Sequence, residues 1–221
     1  MKIKAFLIGA ALSAIAMAFV IAGIEADIVP IHFNYLGEAD QWANKWVYLI
    51  FAMIPLVEMV SYLIYRRVNA NNEKVQKNAP YEESVVALTG LFLMAVGWFF
   101  LLIVRSGANR LDTSWACLIL GGVGLLMVYI SNFMAKIRPN HTMGFRVKWT
   151  LRDETVWIKT HRIAGYTGVA GGLIILVGSI LGMALQVWVA FVGFALGMVI
   201  MVGIPLFYAR NLYNELHPSE K

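Results

Sequence analysis

Charge is scarce in this sequence. Asp, Glu, Lys and Arg make up 14 % of the 221 residues and hydrophobic types 60 %, where a soluble domain carries about 25 % charged and about 45–50 % apolar residues. That balance excludes an ordinary soluble globular domain. Cysteine is nearly missing too: with Cys117 alone, no internal disulfide can form and the redox compartment is not legible. The histidines, His32, His141, His161 and His217, are scattered and never form the HExxH pair of a zinc protease. No Walker loop, GxGxxG turn or GxSxG elbow occurs, and Ser84 and Ser179 have no base beside them. Motif-borne nucleotide, dinucleotide and hydrolase chemistry is therefore excluded, and neither cofactor nor metal is expected. The remotest candidate is a metal-assisted enzyme built from His141, Glu154 and His161.

Long apolar runs take the place of charge. Crossing roughly 30 Å of hydrocarbon takes about 20 residues of helix, and six runs qualify: Ile3 to Ile24, Trp46 to Tyr65, Ser84 to Val104, Thr113 to Ala135, Ala164 to Leu185 and Val187 to Tyr208. They predict an all-α, polytopic protein of six transmembrane helices in the plasma membrane. The first run follows Lys2 and Lys4 as a secretion signal would, yet its apolar length exceeds the usual stretch of about 7–15 residues, so it reads as a retained span.

Lys and Arg in short loops stay cytoplasmic. Of 18 such residues, all but Lys45, Arg105 and Arg110 fall on one side of the six-span arrangement, which predicts both termini inside. The net charge of +5 is then explained by topology and attraction to anionic lipid. No nucleic-acid module fits in so little soluble chain.

The first external loop, "EADIVPIHFNYLGEADQWANKW", is mildly acidic. Pro30, Asn34 and Gly37 are turn formers, and Trp42 and Trp46 suit the headgroup level or an external contact. Glu58 is the only charged residue well inside a run, about 10 Å from the cytoplasmic end at about 1.5 Å per residue. A carboxylate there is expensive. It is a structural partner, a protonated carboxyl, or part of a pathway, with Pro55 one turn earlier removing a backbone hydrogen bond. Gly168 and Gly172, Gly178 and Gly182, and Gly193 and Gly197 are each four apart, the spacing that brings helix backbones close, either within the chain or across a homo-oligomer.

The densest cluster of charge and tryptophan, "KIRPNHTMGFRVKWTLRDETVWIKTHRIAG", separates the fourth and fifth runs. Pro139 and Asn140 break the fourth helix, and Thr150 with Asp153 resembles a helix start. Val156, Trp157, Thr160, Ile163 and Ala164 share a helical face opposite Arg152, Lys159 and Arg162, which predicts an interfacial helix that then turns into the fifth span.

The order Pro139, Asn140, Gly144, Arg146, Trp149, Thr150, Leu151, Val156, Trp157, Lys159, Thr160, His161 and Gly165 resembles the signature of the SdpI family of bacterial membrane immunity proteins. Pro30, His32, Phe33, Gly37 and Asp40, with Asn34 and Trp42 in the same loop, resemble the small membrane domain that commonly precedes it. Val147 and Lys148 depart from the threonine and proline often found there. The resemblance implies a two-span unit over 1–70 with its external loop, and a four-span unit over 81–221 with its cytoplasmic signature at 136–165. It also implies protection from a secreted toxic peptide outside and, in the best-known member, capture of a transcriptional repressor inside. The rival reading is a small solute or proton-linked transporter using Glu58.

Overall fold

The computed structural model describes residues 3–140 and 142–218. In chain order it contains α1 (Ile3–Ala22), β1 (Ile28–Phe33), β2 (Ala39–Asn44), a 3-10 turn (Lys45–Tyr48), α2 (Leu49–Val68), α3 (Glu73–Arg105), α4 (Ser114–Met134), α5 (Lys148–Arg152), α6 (Glu154–Ala184), α7 (Val187–Met198), a π-helical segment (Val199–Gly203) and α8 (Ile204–Leu216). Six helices are long and apolar enough to cross a membrane, the last formed by α7, the π segment and α8 together.

All six fall on the expected runs, with differences at the ends. Helix α3 begins at Glu73, so a polar N-terminal stretch containing Pro80 precedes the apolar run from Ser84. Helix α6 runs unbroken from Glu154 to Ala184. The separate interfacial helix is therefore corrected: nothing between Asp153 and Ala164 breaks a helix, and Val156, Trp157, Thr160 and Ala164 are buried in the protein instead of facing lipid. A second correction concerns the external loop, which is a β-hairpin, so the fold is mostly helical with one two-stranded antiparallel sheet. The short apolar run Ile28–Phe33 and the loop signals at Asn34 and Gly37 carry that hairpin. Pro30 is tolerated because a two-stranded sheet has only edge strands.

The chain forms two compact units, Met1–Ala70 with Glu83–Trp115, and Asn71–Glu82 with Ala116–Lys221. In the first, Met17, Ile21, Ile24, Val29, Tyr48, Ala52, Leu101 and Val104 make a core from α1, α2, α3 and the hairpin. The Tyr48 hydroxyl donates to Pro30 O at 2.6 Å and Lys45 Nζ to Ile24 O at 2.6 Å, tying the hairpin to the start of α2. In the second unit, glycine does the packing. A Cβ at Gly172 would lie 2.8 Å from Gly124 O, and one at Gly178 would lie 2.8 Å from Gly193 Cα, so α6 meets α4 and α7 backbone to backbone. Gly197 meets Gly171 O in the same way. The spaced glycines thus serve packing within the chain.

Candidate functional site

The signature segment lies in the second unit, and buried polar side chains hold it. Asn140 organises the turn after α4: its Oδ1 accepts from Thr142 N at 2.8 Å and Met143 N at 2.7 Å, and its Nδ2 donates to Arg138 O at 2.8 Å and Met143 O at 3.1 Å. Gly144 follows at φ +105°, where a Cβ would also overlap His161 Nε2. Only glycine satisfies both the backbone and the space.

His161 is the other end of that contact. Its Nε2 accepts from Phe145 N at 3.0 Å and its Nδ1 faces Trp157 O at 2.8 Å. An N–H cannot accept and a carbonyl cannot donate, so the ring is neutral with its proton on Nδ1. Both nitrogens are spent on backbone, and no lone pair is left for a metal. Among the described residues no cluster of three metal-ligating side chains exists. Glu154 is exposed, and His141 lies outside the described residues. Trp157, fully buried, stacks on His161 with ring centroids 4.0 Å apart and donates Nε1 to Ile137 O at 2.9 Å. One turn of α6 therefore grips the connector at Ile137 and at Phe145.

Thr150 makes the third anchor. Its hydroxyl donates to Phe145 O at 2.5 Å and accepts from Val147 N at 3.1 Å, closing the turn that starts α5. Asp153, with extended backbone, separates α5 from α6 and caps α6 by accepting from Val156 N at 2.9 Å. That bond first, and the contact of its Oδ2 with His217 Nε2 at 3.0 Å second, hold its carboxyl below the usual carboxylate range. Trp149, half-buried under Lys148 Nζ at 5.1 Å from the ring, packs with Val147 and Tyr208 against Val156, Ala209, Leu212 and Tyr213, so α8 forms the wall behind the segment.

The signature residues consequently divide by surroundings. Asn140, Thr150, Val156, Trp157, Thr160 and His161 are buried and hold shape, with the Thr160 hydroxyl left without a hydrogen-bond partner. Pro139 and Gly144 are half-buried, and Gly165 brings α6 within 3.4 Å, Cβ to oxygen, of Ser131 O. Arg146 and Lys159 are exposed and are the positions free to meet a partner.

Two residues escaped the sequence reading. Asn78, fully buried, donates Nδ2 to Arg138 O at 3.0 Å and accepts from Arg138 N at 2.9 Å. Glu82, also buried, accepts from the Thr142 hydroxyl at 3.1 Å. Their spacing of one helical turn in the polar start of α3 was the available signal, but the partners lie 60 residues away.

The external-loop residues gather in the first unit. His32 Nδ1 lies 2.5 Å from Asp40 Oδ1 across the hairpin, both exposed. Phe33 pairs with Ala39 and Trp42 with Pro30. Asn34 Oδ1 accepts from Leu36 N and Glu38 N, and Gly37, at φ +79°, turns the loop against Leu111 O. In the same unit the Glu58 carboxyl bonds the Thr89 hydroxyl, while its Oε2 is buried without a hydrogen-bond partner. That carboxyl sits beside Gly90, where α1 contributes Phe6.

Six membrane-length helices and a connector knotted by buried polar groups define a multi-pass membrane protein. Comparison with known proteins adds a likeness over part of the chain: residues 136–209 match the SdpI/YfhL protein family. The chain is 32 % identical over 126 residues to the immunity protein SdpI of Bacillus subtilis (strain 168). That match covers 57 % of this chain and 58 % of the relative, so it spans just over half of that protein's length. No solved structure matches the chain.

Proposed function

We propose that this protein protects its cell from a secreted antimicrobial peptide, acting as a non-enzymatic membrane immunity protein with both termini and the signature segment in the cytoplasm. The observation that carries the reading is the likeness to an immunity protein over 126 residues, together with the family match over residues 136–209, which include the Trp157 and His161 that grip the connector. The exposed pair His32 and Asp40 offers a hydrogen-bonding face to a peptide outside. Arg146 and Lys159 offer a basic face inside, suited to a repressor protein with an acidic surface. Coupling the two requires two states of the helix bundle that both ligands bias.

The test is expression in a sensitive host challenged with secreted peptide toxins. Protection is expected, and Arg146→Gln with Lys159→Gln is expected to abolish repressor capture while protection and membrane insertion persist. A host that stays sensitive to every peptide tried refutes the reading.

One observation favours a second reading. The buried, unpartnered Oε2 of Glu58 among apolar side chains is the kind of intramembrane group that marks a solute or proton path. Flux into proteoliposomes that disappears in Glu58→Gln supports transport; absence of flux in the parent protein removes it.

A further inference from the structure

We propose that a cavity of ≈ 480 Å³ lined by Lys77, Tyr81, Lys136, Ile137, Arg138 and Ile158, with Ala135, binds the phosphate of an anionic lipid headgroup. Three of its lining residues are cationic and none is acidic. The lining comes from three separate stretches of the second unit: the polar start of α3, the chain just after α4, and the first turns of α6. Its wall is also prearranged. Asn78 bonds both the N–H and the carbonyl of Arg138, and Trp157 Nε1 holds Ile137 O, so two buried side chains fix the backbone that carries the cations.

Position selects the ligand. Lys136 and Arg138 directly follow the membrane-length helix Ser114–Met134, which sets them at the depth of headgroups. Basic pockets at helix ends on the cytoplasmic side suit anionic lipid. Tyr81, Ile137 and Ile158 supply apolar wall for the glycerol and upper acyl carbons that a free anion lacks. The competing contact is weak: Lys77 Nζ lies 3.3 Å from Glu73 Oε2, with both side chains largely exposed, so a phosphate can displace it. The proposal needs this end of the bundle at the membrane surface and does not depend on any toxin.

Native mass spectrometry of the full chain released from detergent, with phosphatidylglycerol, phosphatidylcholine and inorganic phosphate as probes, provides the test. Phosphatidylglycerol is expected to be retained over phosphatidylcholine, with about a tenfold or greater loss in Lys136→Gln/Arg138→Gln. Lys74→Gln/Arg210→Gln, which removes equal charge away from the cavity, is expected to bind as the parent does. Thermal unfolding in the same detergent reports whether the variants fold. If the first pair does not, Lys77→Gln, an exposed single change, must still weaken retention. Equal losses in both pairs, or equal retention of the two lipids, overturns the site. Displacement of phosphatidylglycerol by equimolar inorganic phosphate overturns the lipid as its source.

Discussion

Single residues in the connector carry roles that their side-chain chemistry alone does not announce. Gly144 is required twice over, by a φ of +105° and by the space His161 Nε2 occupies. Gly144→Ala is expected to cost about 1–3 kcal/mol from the backbone strain, read as a fall in the thermal midpoint in detergent; an unchanged midpoint refutes the packing described for His161. Asp153 sets a pH dependence. Its carboxyl is held below the usual range by the Val156 N–H and then by His217, so the stabilisation is complete above the ordinary value of 3.8 and is lost as pH falls through the lower folded value. Loss of this cap in Asp153→Ala is expected to destabilise by about 0.5–2 kcal/mol at neutral pH. The gap to the parent should narrow on acidification, and a gap that widens instead contradicts the assignment. The residue types of this site were legible, because Trp157, His161, Asn140 and Thr150 stand out in an apolar chain. Their division into buried anchors and exposed contacts was not, since burial is set by which segments fold over them.

At the scale of elements, hydropathy placed every membrane-length helix, because roughly 30 Å of hydrocarbon demands the same run length whatever the tertiary fold. It could not place the start of α6. The charges of Arg152, Lys159 and Arg162 suggested a helix lying at the interface, yet the continuous helix buries the opposite face against the connector and α8. The hairpin was missed for a related reason: Pro30, Asn34 and Gly37 read as turns, while Pro30 lies inside β1 and the two short strands are stabilised by Tyr48 and Lys45 from the following element. Glycine contacts make the α4–α6 pairing sensitive to volume. Gly172→Leu would drive a side chain into Gly124 O and Val128 N, where overpacking costs about 1–3 kcal/mol or more. A sharp loss of folded, monodisperse protein is expected on size-exclusion chromatography, and parent-like yield argues against close backbone packing there.

For the whole molecule, the orientation proposed from Lys and Arg can be read directly. Cys117 is buried, so in a Cys117→Ser background a new cysteine at Asp40 is expected to react in intact cells with a membrane-impermeant maleimide, and one at Lys159 only after lysis. Reaction at Lys159 in intact cells inverts the protein and removes the inside partner from the functional proposal. The same experiment separates the two faces that the functional proposal invokes, without requiring a toxin to be in hand.

The membrane class, the number and placement of the long helices, and the likeness of one segment to a known family were all legible in the sequence, because each rests on local composition or on residue order along one stretch. Only the tertiary structure revealed that Asn78 and Glu82 brace the signature segment, that His161 spends both ring nitrogens on backbone groups, and that a basic cavity opens beside Arg138. Those outcomes depend on hydrogen bonds between segments tens of residues apart, and nothing in the spacing of a linear chain specifies which distant backbone group a buried polar side chain will meet.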